Sequence, residues 1–256
     1  PELSREEKLE LSQIYSLCGL LDQERIIQNE RPFRSPHHTV TAQALVGGGK
    51  QPHPGEISLA HHGILFLDEL AEFKPGILDV LREPLEEKKV HISRVGGSFV
   101  YPADFMLVAS TNPCPCGFYP NLNRCNCRPQ AIKNYIGRIS QAFLNRMDLC
   151  VEVPALSYDE LRSTGKSTQN TAVMKEKVQS AVTIQNRRYA GETFFYNSQI
   201  PAARLREFCE MTVEAEELLR QMFGRMGLSA RGCHRLLRVA RTCADLSASE
   251  KIEKEH

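Results

Sequence analysis

Two adjacent acidic residues, Asp68 and Glu69, directly follow the unbroken apolar run Ile64–Leu67. Such a run predicts a strand that is buried on both faces of a parallel sheet. Ligands of open α/β sheets collect at the carboxyl ends of the strands. At that edge Asp68 can hold Mg²⁺ on nucleotide phosphates, and Glu69 can polarise an attacking water. The alternative is that Asp68 caps a helix and Glu69 only faces solvent.

A second apolar run also ends in polar residues. Phe105–Ala109 predicts another buried strand, and Ser110, Thr111 and Asn112 follow it. If the two strands share a sheet, Asn112 lies at the same edge as Asp68 and can orient the water that attacks a γ-phosphate. Thr-Asn-Pro taken alone indicates only a turn. The two runs together favour nucleotide hydrolysis.

Four cysteines close together in the sequence predict a metal site. Their spacing is Cys-x-Cys-x₈-Cys-x-Cys, formed by Cys114, Cys116, Cys125 and Cys127. Four thiolates can close a tetrahedral Zn²⁺ site, although this is not the usual pair of Cys-x-x-Cys knuckles. The alternative is a loop with four free thiols. The histidine pairs 37–38 and 61–62 can also ligate metal, but neighbours on an extended segment point oppositely, which favours ordinary loop histidines.

The elements that must position these residues are predicted from periodicity. Ser4 and Glu7 have capping-box spacing, so we expect a helix from there to about Cys18. Residues 29–63 have no clear period and predict loops or hairpins. A helix is expected to begin at Pro75 and to be kinked or shortened at Pro84. The segments 90–92 and 99–101 flank two glycines and predict a β-hairpin.

The pattern changes past Pro154, and this change predicts two domains. A third strand is expected at Cys150–Val153, and the polar stretch Ser163–Asn170 predicts a linker. Apolar residues then recur with helical spacing in three segments, around residues 174–182, 215–226 and 233–244. The prediction is an α/β domain over residues 1–154 and an all-helical domain over residues 155–256.

Composition and charge restrict the setting of the chain. The 256 residues carry a formal net charge of +1, which gives no whole-molecule attraction to nucleic acid or to acidic membranes. No apolar run is long enough to span a bilayer, and no export signal is visible at the N-terminus. We therefore expect a cytoplasmic protein with no membrane partner. Its nine cysteines are expected to be reduced thiols or metal ligands.

Five segments, in this order, resemble the magnesium-chelatase-like AAA+ ATPases, and most of all the ComM/YifB group. They are Arg34–Thr39, Gly55–Leu70, Ala109–Gly117, Leu144–Leu149 and Leu228–Arg235. The resemblance covers essentially the whole chain. It implies an AAA+ P-loop NTPase core, a partial parallel sheet with helices, followed by an all-helical lid domain. It further implies ATP and Mg²⁺ as cofactors, a homo-hexameric ring and action on DNA in recombination, such as branch migration or helicase work.

The same resemblance assigns roles to individual residues. Asp68 and Glu69 would be the Walker B acids, Asn112 the sensor 1 residue, Arg146 an arginine finger that acts in trans, and Arg231 the nucleotide-contacting sensor 2 residue. The hairpin would point toward the central pore and contact DNA through Lys88, Lys89 and Arg94. Alternatives remain open: Arg146 can pair with Asp148, and Arg235 and Arg238, like Arg231, can belong to a solvated basic face.

The phosphate-binding loop of such an ATPase is missing. A P-loop needs Gly-x-x-x-x-Gly-Lys-Ser/Thr. When Gly49 and Lys50 of the segment Gly48–Gln51 are aligned with that Gly-Lys pair, the first glycine position holds Ala44 and the Ser/Thr position holds Gln51. We read this segment as a flexible loop tip, and the chain as a piece that begins after the Walker A loop. The isolated piece is then expected to show no ATPase activity. Two other functions stay open: a motor subunit for Mg²⁺ insertion into porphyrin, and a noncatalytic remodelling or adaptor module.

Overall fold

The computed structural model describes residues 2–21, 27–49, 52–74, 76–94, 97–154, 158, 162 and 170–256. Internal contacts divide the chain into two compact units, Glu2–Arg146 and Met147–His256. The N-terminal unit is α/β and the C-terminal unit is helical, so the fold class expected from the sequence is confirmed. A boundary after residue 154 stays a prediction.

A three-stranded parallel sheet lies in the N-terminal unit. Its strands are β1 (Phe33–Arg34), β4 (Ile64–Leu67) and β7 (Met106–Ala109), in the order β1-β4-β7. The register pairs Leu67 with Ala109 at the carboxyl ends of β4 and β7. The two apolar runs are therefore neighbouring parallel strands, as the sequence predicted.

The sheet is buried on one face rather than on both. Successive side chains of a strand point to opposite faces. Leu65 and Leu67 on β4 are fully buried, whereas Met106 on β7 is 63% exposed and Val108 is also exposed. The expectations that Ile64–Leu67 is buried on both faces and that Phe105–Ala109 is a buried strand were therefore wrong, because an apolar run does not show what packs on each face.

The N-terminal helix has the capped start that its sequence predicted. The helix α1 (Arg5–Leu17) begins after Ser4, whose Oγ accepts the Glu7 N–H while the Glu7 carboxylate accepts the Ser4 N–H. These bonds satisfy two of the backbone donors that a helix start leaves unpaired. Leu11 and Ile14 are the buried residues of α1, which anchor it to the unit.

The segment 29–63 contains more regular structure than the sequence predicted. It holds β1, α2 (Ala42–Val46), α3 (Glu56–Leu59), and a hairpin of β2 (Gly47–Gly48) with β3 (His53–Pro54). These elements are too short to show a period. A Cβ on Gly47 would lie 2.3 Å from the His53 carbonyl oxygen, so the close approach of the two backbones requires glycine. Lys50 and Gln51, in the predicted loop tip, lie outside the described residues.

The region around Pro84 forms two short helical segments. A 3₁₀ helix spans Leu78–Leu81 and is followed by α4 (Arg82–Glu87), and a further 3₁₀ turn spans Leu70–Glu72. Pro84 lies in the first turn of α4, where the missing N–H removes no helical hydrogen bond. The single helix expected here is instead a 3₁₀ helix followed by a short α-helix, and α4 continues through Pro84 to Glu87. Pro75, the expected start of the single helix, lies outside the described residues.

A long hairpin follows α4. The strands β5 (Lys89–Arg94) and β6 (Gly97–Pro102) pair antiparallel from Lys89 opposite Pro102 to Arg94 opposite Gly97. Val90 and Ile92 are buried, while Lys89 and His91 are exposed. The hairpin matches the prediction. The unit ends with α5 (Pro129–Ile136) and α6 (Gln141–Leu144).

The C-terminal unit is built on the three helices that the apolar spacing predicted. These are α7 (Thr171–Arg188), α9 (Val213–Met226) and α10 (Ala230–Leu246), with the short α8 (Leu205–Phe208) and two 3₁₀ turns, Asn197–Gln199 and Ala202–Arg204. The core cluster of this unit consists of Tyr189, Phe194, Ile200, Leu205, Cys209, Ala244 and Ile252, and Leu237 and Ala240 of α10 pack against it.

The predicted third strand does not form. Residues 150–154 have no regular structure, and Val151 and Val153 are 81% and 85% exposed. A strand needs a neighbouring backbone to pair with, which sequence composition does not report. Of the predicted linker Ser163–Asn170, all but Asn170 lies outside the described residues. Asn170 caps α7 through its side chain.

None of the helices in the described part of the chain combines the length and hydropathy that a membrane span requires.

Candidate active site

The carboxyl ends of β4 and β7 bring Asp68 and Ser110 together. The parallel ladder continues past the strands, because the Ser110 N–H donates to the Leu67 carbonyl and the Leu70 N–H donates to the Ser110 carbonyl. The Ser110 hydroxyl donates to Asp68 Oδ1, which also accepts the Glu69 N–H at 3.0 Å. One carboxylate oxygen of Asp68 is thereby fixed, and both residues are exposed to solvent. Asp68 does not act as a helix cap.

Glu69 turns away from the strand in a left-handed backbone conformation, with φ at 54°. This conformation is uncommon for a residue other than glycine, so the local structure must hold it. Glu69 Oε2 lies 3.1 Å from His38 Nδ1, and about half of the Glu69 side chain is exposed. His38 is a neighbour that residue spacing could not identify, since thirty residues separate it from Glu69.

Asn112 follows the same strand but is not fixed in the same way. It is exposed, and its backbone carbonyl accepts the hydroxyl of the preceding Thr111 at 3.3 Å. The catalytic role of Asn112 stays a prediction.

Arg146 is largely buried within its own unit. Its guanidinium lies 2.6 Å from Glu86 Oε1 and donates to the Ala142 carbonyl, and its side chain is 15% exposed. The alternative that Asp148 is its partner was wrong, because Asp148 Oδ1 lies 3.9 Å from Arg235 Nε instead. The role of Arg146 at a neighbouring subunit stays a prediction.

The basic residues of α10 differ in their surroundings. Arg238 donates through Nε and Nη2 to the Ile200 carbonyl, so it is a packing residue and not part of a solvated face. Arg235 is the partner of Asp148. Arg231 lies exposed in the first turn of α10, and its contact with nucleotide stays a prediction.

The hairpin residues expected to contact DNA also differ in their surroundings. Lys88 adopts a left-handed conformation after α4, and its Nζ lies 2.8 Å from Asp104 Oδ2. Lys89 is exposed on the outward face of β5. Arg94 ends β5, and its side chain lies outside the described part of the structure. The exposed Lys89 is therefore the clearest test residue for a contact with DNA.

The four cysteines of the predicted metal site do come together. Their sulfurs all lie within 4.8 Å of one another, and Cys114 and Cys125 are buried. Burial works to raise the pKa of the Cys114 thiol, but hydrogen bonds from the Tyr119 backbone and from Cys116 lower it to about 6. A backbone hydrogen bond from Cys116 works to lower the pKa of Cys127, but the adjacent Cys116 sulfur, burial, Cys114 and Cys125 together raise it to about 12.

A second cluster, formed by Glu10, His61 and His62, was not predicted. Both imidazole Nε2 atoms contact Glu10 Oε2, at 3.1 and 2.8 Å. The rings lie 3.7 Å apart because His62 has a left-handed φ of 53°, so the expectation that they point oppositely was wrong. His61 Nδ1 accepts the Asp104 N–H, which assigns its proton to Nε2.

The proton on His61 Nε2 makes this cluster a hydrogen-bonded link and not a ready metal site. A neutral imidazole needs a bare nitrogen to bind metal, and the nitrogen of His61 that faces Glu10 carries hydrogen. The hydrogen bond from His62 lowers the pKa of Glu10, whereas burial lowers the pKa of His61. The three residues therefore join α1 to the turn before β4.

Comparisons with known proteins assign the two parts of the chain to the same family. The family model described as magnesium chelatase, subunit ChlI, matches residues 1–161, and its C-terminal counterpart matches residues 168–256. YifB of Escherichia coli (strain K12) is 41% identical over 256 residues, which cover 100% of this chain and 49% of that protein. Competence protein ComM of Haemophilus influenzae is 40% identical over 258 residues, with the same coverage.

A more distant relative is the magnesium-chelatase 38 kDa subunit of Acidiphilium rubrum. It is 25% identical over 230 residues, which cover 84% of this chain and 55% of that protein. The chain thus spans about half the length of the curated relatives that it matches.

Proposed function

The chain belongs to the magnesium chelatase ChlI family, in the group that contains YifB and ComM, and we propose that it forms part of an ATP-hydrolysing ring motor that acts on DNA. The family carries an AAA+ ATPase-like role with use of nucleotide and Mg²⁺. The observation that supports a part for this chain in hydrolysis is the sheet edge where Ser110 and the Glu69 N–H both donate to the Asp68 carboxylate.

The chemistry of this edge fits a nucleotide-bound Mg²⁺. The Asp68 carboxylate and the Ser110 hydroxyl offer the hard oxygen atoms that Mg²⁺ prefers. When bound, Mg²⁺ would neutralise charge on the phosphates. Glu69 would then orient and polarise the attacking water, with His38 holding its carboxylate, and Asn112 would sense the γ-phosphate from the loop after β7.

The remaining charge stabilisation is proposed to come from arginines. Arg146 would reach the nucleotide of the neighbouring subunit in a homo-hexameric ring, and Arg231 would contact nucleotide from the helical unit. Because Arg146 is paired with Glu86 within its own subunit, this role requires that pair to open or to pivot when the ring assembles.

Action on DNA is supported by the hairpin and by one relative. Lys89 is exposed on β5, and the relative of 40% identity is a competence protein. Because the net charge is only +1, attraction to DNA must come from a local basic patch that is repeated in each subunit of a ring. Insertion of Mg²⁺ into porphyrin is the second candidate, and the 25% identity to the Acidiphilium rubrum subunit favours it less.

The decisive experiment measures ATP turnover and DNA binding by the whole protein that carries this chain. We expect single-stranded DNA to stimulate turnover and its affinity to fall steeply with salt. The variant Lys89→Gln should bind all DNA sequences more weakly. In a plot of the logarithm of the binding constant against the logarithm of the salt concentration, its slope should be less steep by about one for each phosphate that Lys89 neutralises. The control Lys177→Gln, exposed on α7, should bind as the native protein does.

Other outcomes assign other functions. ATP turnover that DNA does not stimulate, but that accompanies Mg²⁺ insertion into porphyrin, would establish the chelatase reaction. A whole protein that binds no ATP and hydrolyses none would establish a noncatalytic module and overturn the proposal.

A further inference from the structure

We propose that Cys114, Cys116, Cys125 and Cys127 bind one structural Zn²⁺ as four thiolates. The cysteine loop, residues 112–128, joins β7 to α5 and carries all four sulfurs. This assignment depends on the geometry of the sulfurs and on the packing of the cysteine loop. It does not depend on ATP hydrolysis.

The separations of the sulfurs match those of a tetrahedral metal site. Cys114 Sγ lies 3.4 Å from Cys116 Sγ and 3.8 Å from Cys125 Sγ, and Cys116 Sγ lies 3.6 Å from Cys125 Sγ. Four sulfurs arranged tetrahedrally around Zn²⁺, with bonds of about 2.3 Å, stand about 3.8 Å apart. A disulfide would require a separation of about 2.0 Å. The observed spacing is that of a shared ligand shell.

The compactness of the set selects a single metal ion. All four sulfurs lie within 4.8 Å of one another, including that of Cys127. An iron–sulfur cluster distributes its cysteines over two or more iron atoms and so separates them further. Among single ions, a closed shell of four thiolates is typical of structural Zn²⁺.

The cysteine loop has little apolar packing of its own, so a metal explains how it holds its shape. Phe118, Tyr119 and Leu122 are all exposed, with Leu122 at 78%, whereas Cys114 and Cys125 are buried at its centre. Backbone bonds turn the chain around the sulfurs, from Gly117 N–H to the Cys114 carbonyl and from Cys125 N–H to the Asn121 carbonyl. Small segments without a hydrophobic core commonly use a metal to fix their fold.

The metal-bound loop would also support Asn112. Gly117 has a φ of 78°, and a Cβ there would lie 3.9 Å from Asn112 Oδ1. Binding of Zn²⁺ should therefore fix the backbone against which Asn112 rests. This consequence for turnover depends on the proposed function, whereas the metal site does not.

The test is the metal content of the whole protein, purified without a histidine tag. We expect the variant Cys125→Ser to contain about one zinc fewer per chain than the native protein, by elemental analysis. The matched control Cys150→Ser, an exposed cysteine outside the cluster, should keep the native content. Cobalt substituted into the native protein should show the intense visible bands of a tetrahedral thiolate site, and these should be missing from the Cys125→Ser variant.

A second measurement keeps the test decisive if Cys125→Ser fails to fold. Titration of the native protein with a mercurial reagent should release one zinc as the cluster thiols react. Equal zinc content in native protein and in Cys125→Ser, or no zinc released from the native protein, would overturn the proposal, as would iron in its place. A protein that holds zinc but hydrolyses no ATP would contradict the proposed function and leave the metal site standing.

Discussion

At the scale of single residues, the candidate active site depends on how one carboxylate is oriented. Asp68 accepts the Glu69 N–H and the Ser110 hydroxyl at the same oxygen, so its position is tied to both strands. Glu69 reaches His38 instead, because its left-handed backbone turns the side chain away from β4. Two adjacent acids of the same charge thus have different surroundings, as expected if one holds Mg²⁺ and the other polarises water.

The first prediction concerns this division of roles. In the whole protein, Glu69→Gln should lower kcat for ATP hydrolysis by about 10²- to 10⁴-fold, because an amide can neither polarise the attacking water nor accept a proton from it. Affinity for ATP should stay within a few-fold of native, since Asp68 is intact. Steady-state turnover and binding of a fluorescent ATP analogue measure the two quantities.

The control for that substitution is Glu176→Gln, an exposed residue on α7. It should leave both quantities unchanged. Turnover by Glu69→Gln within a few-fold of native would show that Glu69 has no catalytic role.

At the scale of elements, a buried carboxylate joins the two long helices of the C-terminal unit. Asp245 on α10 is fully buried and accepts from both Nη atoms of Arg188 on α7 and from the Asn197 side chain. Its Oδ1 also lies 3.1 Å from Arg241 Nη2 in an ion pair. Burial works to raise the pKa of Asp245, but the hydrogen bonds from Arg188 and Asn197 outweigh it and lower the pKa. The charged form is thus the one that stabilises the fold.

The second prediction is that Asp245→Asn destabilises the helical unit by about 3–5 kcal/mol at pH 7, since it leaves the buried Arg241 and the partly exposed Arg188 without their counter-charge. The folded-state pKa lies below that of the unfolded chain. The stabilisation is therefore complete above the unfolded value of about 4 and is lost as the pH falls toward the folded value. Urea denaturation of the whole protein, with hydrogen exchange of α7 and α10, measures both effects.

A matched control separates the buried charge from charge in general. Glu217→Gln removes the partner of Arg220 on the surface of α9, where both side chains are mostly exposed. Its cost should not exceed about 0.5 kcal/mol. A loss below about 1 kcal/mol for Asp245→Asn, or one that does not change with pH, would contradict the assigned role.

At the scale of the whole molecule, the unsettled residue is Arg146. It is paired with Glu86 inside the N-terminal unit, whereas the proposed function requires it to reach the nucleotide of a neighbouring subunit. A purely structural arginine and an arginine finger differ in one respect that can be measured. Only the finger completes an active site that belongs to another chain.

The third prediction uses mixed rings to detect that difference. Arg146→Ala and Glu69→Gln should each be inactive alone in the whole protein. When the two are mixed, an Arg146→Ala subunit keeps its own Glu69 and can receive Arg146 from a Glu69→Gln neighbour. ATP turnover should therefore reappear on mixing, up to a fraction of the native rate that depends on the mixing ratio.

Glu86→Gln serves as the control, because it breaks the intrachain pair and keeps the arginine. It should fold slightly less stably and still hydrolyse ATP. Mixtures that stay inactive although both variants assemble into rings would mean that Arg146 acts only within its own subunit.

The sequence by itself determined the features that depend on local pattern. The apolar runs before Asp68 and Ser110 gave two parallel strands, the Ser4–Glu7 spacing gave a capped helix, and the helical periods gave α7, α9 and α10. Each of these follows from the preferences of a few adjacent residues, since side-chain periodicity and capping act over one or two turns. The cysteine spacing likewise indicated the cluster that the structure forms.

Only the tertiary structure decided what depends on contacts between distant segments. It put His38 beside Glu69, joined Glu10 to the histidine pair, paired Arg146 with Glu86, and left Val151 and Val153 exposed where a strand was expected. Sequence patterns report which side chains prefer burial, but not which remote backbone or charge will meet them. Those partners are fixed by the packing of the whole unit, where the many weak contacts of a chain are satisfied together.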